Sequence, residues 1–360
     1  MKIPFIDLNA QYNAYKNEID NAINDVLQNA SFIGGTELEE FESNLAQYVG
    51  IKHAIGCSSG TSALFLALMA LGVGKDDEVI VPSFTFIATA EMVALIGAKP
   101  VFVDIDYKDY NLSLEEIQKA ITPKTKALVA VSIFGLMPDM FALKELCKNH
   151  NIALIEDGAQ SFGASQKDVK SCAIADISCT SFFPSKPLGA YGDGGAIFTQ
   201  DDELAQRIKI YLNHGQVQRY KHKYIGINAR LDTIQAAILN VKLKYLDEEI
   251  KKREAIAQIY DDNLKNCILP PRKDGFVNAW AQYSVRVSNR EDWMQKLQDQ
   301  GIPTAVHYPL GLHLQEAFEY LAYKKGDLPK TELLSNEILS LPMSAFLKEE
   351  HQARVIEAFQ

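Results

Sequence analysis

The sequence predicts an α/β chain: a large part built on a mainly parallel sheet, followed by a smaller α+β lobe. Three observations carry this. Between positions 78 and 155 short apolar runs alternate with helix-length segments, the pattern of βα units on a parallel sheet. The run 63–71 is apolar nearly all round, so a helix there must be buried. The pair Pro270-Pro271 breaks the chain before a last stretch with its own strand and helix signals, and 360 residues exceed the ~250–300 at which single cores stop growing.

In chain order, helices are expected over 15–30 and 36–49, with Ala22, Ile23, Val26 and Leu27 on one face and Gly34-Gly35 between the two segments. Strands follow at 78–81, 100–103, 127–131 and 153–155, separated by helices at 87–96, 113–121 and 139–149. A further strand at 194–198 and a helix at 201–211 come next. Leu231, Ile234, Ile238, Val241, Tyr245 and Ile250 then recur at helical spacing through one long segment ending near Asn263. The last stretch reads as a strand at 282–287 and a helix at 291–300. The expected division is a large domain over 1–245 and a small one over 246–360.

The balance of 36 basic and 46 acidic residues gives a formal charge of −10, and no basic tract suits a nucleic-acid backbone or an anionic membrane. No apolar stretch reaches the ~18 residues of a spanning helix and the N-terminus has no signal-peptide core, so a cytosolic location is expected and membrane insertion is not. Cys57, Cys147, Cys172, Cys179 and Cys267 form no C-x-x-C pair and read as small core residues. The histidines show no metal-ligand spacing, and no metal is expected.

Lys186 stands out, set between Pro184 and Pro187 after an apolar run and before the glycine-rich Gly189 to Gly195. A lysine held in a shaped pocket loses charge and becomes a nucleophile, although the same residues also fit a lysine on the tip of a surface hairpin. The entry to the buried helix, Gly60-Thr61-Ser62, offers free N–H groups and a helix dipole to a phosphate, or serves only as an N-cap. Asp157 ends a strand, where ligands of such sheets gather, or caps the next turn. Together, a phosphate cradle, an acid and a lysine suggest pyridoxal phosphate. The cations Arg219, Lys221, His222, Lys223 and Arg230 read as solvated surface, or as attraction for an anionic substrate. His307 and Tyr308, beside Pro309, fit either a site or a packed loop.

These motifs, with Phe5-Ile6-Asp7-Leu8, Pro82-Ser83-Phe84-Thr85-Phe86, Glu156-Asp157-Gly158-Ala159-Gln160 and Asn228-Ala229-Arg230-Leu231-Asp232, resemble the DegT/StrS family of pyridoxal-phosphate-dependent nucleotide-sugar aminotransferases. The resemblance implies the type I, aspartate-aminotransferase-like fold and a homodimer with shared active sites. It places Lys186 at the lysine that carries the cofactor, Asp157 at the partner of its pyridine nitrogen, Gln160 at its ring hydroxyl and Phe86 against its ring. Gly60, Thr61, Ser62 and Ser181 fall at the phosphate, and Asn228 looks like a phosphate ligand lent by the other subunit. Arg230, His307, Tyr308 and His313 fall at the substrate. Retention of lysine, where one branch has histidine and deoxygenates, favours transamination. The implied donor is L-glutamate. The implied acceptor is a nucleotide-linked keto sugar of surface polysaccharide (O-antigen, lipopolysaccharide) synthesis: C3 of UDP-2-acetamido-2-deoxy-3-oxo-glucuronate, or else another 3-keto or 4-keto 6-deoxy sugar. A non-catalytic regulatory protein on the same fold is the alternative from another class.

Overall fold

A computed structural model describes residues 3–360. The central sheet has seven strands: β1 (His53–Cys57), β2 (Glu78–Pro82), β3 (Lys99–Val103), β4 (Thr125–Val131), β5 (Ala153–Asp157) and, after the short β6 (Ser165–Gln166) and β7 (Val169–Lys170), β8 (Ile177–Ser181) and β9 (Gly195–Thr199). Their order is β1-β9-β8-β5-β4-β2-β3. From β3 to β8 every pairing is parallel, and β9 runs against both of its neighbours. Parallel neighbours need a crossover, whereas an antiparallel pair needs only a loop. The chain reverses between β8 and β9 without a helix, and the reversing loop is the one that carries Lys186. The loop into the sheet's one reversed strand thus sets this lysine at the carboxyl ends of the parallel strands.

Seven helices accompany these strands: α1 (Leu8–Asn29), α2 (Thr36–Val49), α3 (Gly60–Ala70), α4 (Ala88–Leu95), α5 (Leu114–Ala120), α6 (Met140–His150) and α7 (Asp202–Tyr211). The first begins well before residue 15 because Asp7 caps it, accepting from the Ala10 N–H at 2.9 Å. As its composition requires, α3 buries Leu64, Leu66, Ala67 and Leu68, which pack with Val79, Phe102, Ile155 and Ile197 of the sheet. The mainly parallel sheet flanked by helices that the sequence predicts is observed. Strand β1, which no pattern in the sequence marked, closes the edge beside β9.

Beyond the sheet a hairpin, β10 (Gln216–Gln218) and β11 (Lys221–His222), leads to α8 (Thr233–Leu243) and α9 (Leu246–Asn263). The sequence suggested one long helix here; the structure divides it. At the division Tyr245 stacks on Tyr15 of α1, with centroids 4.1 Å apart, and its hydroxyl donates to Glu18. That contact turns the chain where propensity alone would have continued it. Behind the break, Lys242 is buried and donates to the carbonyl of Gly189 in the loop of Lys186. Burial lowers its pKa to about 8, against the opposing pull of Glu249.

The remaining elements are β12 (Phe276–Val277), which pairs with β6, then β13 (Tyr283–Arg286), α10 (Arg290–Asp299), α11 (Pro329–Glu337), β14 (Ile338–Leu341) and α12 (Glu349–Ala358). Strands β13 and β14 form an antiparallel ribbon whose Tyr283, Val285, Leu339 and Leu341 share a second core with Tyr260, Leu297 and Phe359. Not everything after residue 246 belongs to that core. Leu312, Phe318 and Leu328 pack into the core of the large sheet, and the Phe318 ring meets Phe102 edge-on at 5.2 Å.

Candidate active site

A cavity of about 390 Å³ opens at the carboxyl ends of β4, β5 and β8, where ligands of such sheets bind. Lys186 lines it, with Ser185 and Phe183 of the same loop. Burial drives the ammonium of Lys186 below its usual pKa of 10.5, and the carboxylate of Asp157 pulls the other way. The tip of a solvated hairpin, the alternative that the sequence left open for Lys186, is therefore excluded.

Asp157 forms the floor of the cavity, buried, with Thr89 of α4 donating to Oδ2 at 2.8 Å and the Ala159 N–H to Oδ1 at 3.2 Å. Burial raises its carboxyl above 3.8, while these two donors and Lys186 act to lower it. The amide of Gln160 is fixed at both ends: Oε1 accepts from the Phe134 N–H at 2.6 Å and Nε2 donates to the Tyr308 hydroxyl at 3.1 Å. Phe86 stands at the mouth, 54% exposed, its ring 6.2 Å from that of Tyr308. A phenyl ring that exposed beside a cavity is an apolar face without a partner.

Opposite lies the N-terminus of α3. Ser59 caps it by accepting from the Ser62 N–H at 3.0 Å, and Gly60 and Thr61 line the cavity with Ser181 from the end of β8. A Cβ on Gly60 would stand 2.7 Å from the Cβ of Ser181. Only glycine lets the helix end and the strand end approach so closely, leaving the N–H groups of Gly60 and Thr61 beside a hydroxyl.

Some of the expected residues lie elsewhere. The Ser62 hydroxyl is engaged by those of Ser58 and Ser59 and does not line the cavity. Asn228 and Arg230 border a second cavity of about 410 Å³, touched by Asp193, which also lines the first. Arg230 donates from Nη1 to Asn213 at 2.6 Å and keeps its buried Nε without a partner among the described residues. His313 is corrected as a substrate contact: it is buried, with Nδ1 2.6 Å from the Ser83 hydroxyl and Nε2 3.2 Å from Glu332. Both ring nitrogens are spent on tying its loop to β2 and α11, so neither is free for a ligand.

Comparison with known proteins agrees with this geometry. Residues 13–360 match the model of the DegT/DnrJ/EryC1/StrS aminotransferase family. The chain belongs to that family. It is 49% identical, over 96% of both chains, to the UDP-2-acetamido-2-deoxy-3-oxo-D-glucuronate aminotransferase of Pseudomonas aeruginosa PAO1. A Geobacillus stearothermophilus relative, 43% identical over 99% of this chain and 97% of its own, bears the name pleiotropic regulatory protein. Among solved structures, NtdA of Bacillus subtilis with bound cofactor PMP superposes with a TM-score of 0.92 at 32% identity, covering 99% of this chain and 84% of that one.

The DegT/DnrJ/EryC1/StrS aminotransferases are pyridoxal-phosphate enzymes, and the residues of the cavity fit that group. The amides of Gly60 and Thr61 and the Ser181 hydroxyl suit a phosphate. The buried carboxylate of Asp157 suits a pyridinium N–H, and Lys186 is an amine whose charge is discouraged. Several lining residues of this family member escaped the sequence as site residues, Thr180, Asp193 and Gln282 among them. Thr89, which orients Asp157, escaped it too. No local motif marks them, since each is defined by what folds against it.

His307 gives the site a pH signature. Its Nδ1 lies 2.9 Å from the Ser340 hydroxyl, and burial, then the charge of Lys186, lowers its pKa from 6.5 to about 4. Between these values the unfolded chain binds the proton and the folded one does not, so stability is fully present above 6.5 and declines as pH falls toward 4. His307→Gln is expected to flatten that decline. Urea unfolding of both proteins at about pH 7 and about pH 5 checks it; an equal wild-type-to-variant difference at the two pH values would refute it.

Proposed function

We propose that the protein transfers the amino group of L-glutamate to C3 of UDP-2-acetamido-2-deoxy-3-oxo-glucuronate, releasing 2-oxoglutarate and the 3-amino sugar. The observation that carries the chemistry is the burial-depressed amine of Lys186 facing the buried Asp157 in one cavity. The choice of sugar rests on the likeness to the Pseudomonas aeruginosa enzyme. When bound, pyridoxal phosphate supplies the electron sink that acidifies the substrate carbon. Lys186 Nζ moves the proton from and to that carbon, a task that the lowering of its pKa by burial favours.

In this proposal the N-terminus of α3, through Gly60 and Thr61, holds the phosphate with Ser181, and Ser62 serves the turn behind them. Asp157 faces the pyridine nitrogen, Gln160 the ring hydroxyl, and Phe86 covers the ring. His307 and Tyr308 border the sugar, and the cation of Arg230 meets its carboxylate. The protein works as a homodimer, with Asn228 serving the partner's cavity; its setting on a second cavity of its own chain supports this. The division at the α8–α9 turn into 1–245 and 246–360 is part of the proposal, with 312–328 packed back on the sheet. Five cysteines without disulfides support a reducing, cytoplasmic setting, and no helix among the described residues is long and apolar enough to cross a membrane. The product would serve surface polysaccharide, as in the O-antigen of lipopolysaccharide.

The test is an absorbance spectrum of the pyridoxal-phosphate-loaded enzyme, before and after L-glutamate and then the 3-oxo sugar. Glutamate is expected to bleach the yellow band and the sugar to restore it. Restoration by a 4-keto-6-deoxy nucleotide sugar and not by the 3-oxo uronate would reassign the acceptor, and absence of the band would remove the chemistry.

A further inference from the structure

Resting on the aminotransferase reading above, we infer that Gln282 is a specificity residue for the keto sugar, its side-chain oxygen accepting a hydrogen bond from an O–H or N–H on the sugar ring. Gln282 lines the cavity of Lys186. Its Oε1 is buried and has no hydrogen-bond partner among the described residues. An acceptor withdrawn from water and left unpaired is unfavourable, and folded proteins rarely keep one without use.

The backbone that presents Gln282 is fixed on both sides. Ahead of it, the Ala279 N–H donates to Gly135 at 3.1 Å and the Ala281 N–H to Phe134 at 3.1 Å, and the Phe134 N–H in turn holds Gln160. Behind it the chain enters β13 at Tyr283. Residues two apart in an extended strand share a face, and Ser284, two positions on, bonds Ser340 at 2.8 Å, the hydroxyl that also meets His307 at 2.9 Å. Gln282 and His307 are therefore held on one side of the β13–β14 ribbon, and both border the cavity. The polar groups of the cofactor already have matches in α3, Ser181, Asp157 and Gln160. What remains for Gln282 is the second ligand of the cavity. A cyclic sugar offers ring hydroxyls and an amide N–H, whereas glutamate presents carboxylates that can only accept and an amine that is consumed in the reaction.

Gln282→Met keeps the length of the side chain and removes the amide. The expected result in the loaded enzyme is a KM for the keto sugar raised roughly tenfold, with kcat and the single-turnover rate with glutamate each changed by less than about threefold. Gln282→Leu replaces it if the methionine variant does not fold. A sugar KM within about twofold of wild type, or an equal loss in the glutamate half-reaction, would overturn the assignment. The comparison is made on whichever keto sugar the wild-type enzyme aminates. Failure of the 3-oxo uronate as substrate and failure of the Gln282 assignment are then separate outcomes.

Discussion

Replacing Lys186 by alanine is expected to abolish amino transfer while leaving the fold in place. The amine is buried at the wall of the cavity, so its removal opens space beside a ligand rather than in a core. Loss of the general acid–base group alone costs up to ~10⁴ in rate, and loss of the attachment point adds to it. The measurement is the single-turnover rate with glutamate, alongside a thermal unfolding curve. A variant that unfolds within a few degrees of wild type and turns over more than ~10⁻³ as fast would show that proton transfer does not run through this residue. Lys186→Arg is expected to fail as fully as alanine, because a guanidinium stays protonated and offers no free lone pair.

Asp157→Asn should lower the rate of the glutamate half-reaction by roughly 10²–10³, the range seen when a fixed electrostatic partner is removed from a dry site. The substitution keeps shape: the amide oxygen can still accept from the Ala159 N–H, and the NH2 can donate to the Thr89 hydroxyl, so the main change is the loss of charge. It also removes the one influence that raises the pKa of Lys186. The lysine amine is then more fully neutral, and the acid limb of the pH–rate profile should move to lower pH. A variant with that shift and an unchanged maximal rate would mean that the carboxylate tunes the lysine and does nothing for the cofactor.

Much of this was legible in the sequence, for identifiable reasons. Strands β2 to β5 and their helices announced themselves because each is a short, bounded apolar run whose neighbours fit a helical period. Lys186, Asp157 and Gly60-Thr61 were legible because their chemistry is local: prolines around a lysine, an acid at a strand end, small residues opening a helix. The split between α8 and α9 was hidden because Tyr15, more than two hundred residues earlier, causes it. His313 misled for a related reason. Its residue type suggests a ligand contact, and only folding shows that Ser83 and Glu332 consume both nitrogens. Gln282 and Thr89 carry no motif, since an unpaired oxygen or a donor beside an acid exists only once distant segments meet.

The close approach of Gly60 to Ser181 also bears on how the chain assembles. The two residues lie far apart in sequence, and the cradle they form is complete only when α3 and β8 are both in place. Closing contacts of such long sequence separation slows folding. Cofactor captured by the finished cradle drains the unfolded population by mass action, in proportion to its free concentration over its dissociation constant. The concentration of free cofactor would thus set how small the unfolded fraction is, as well as how much of the protein is active.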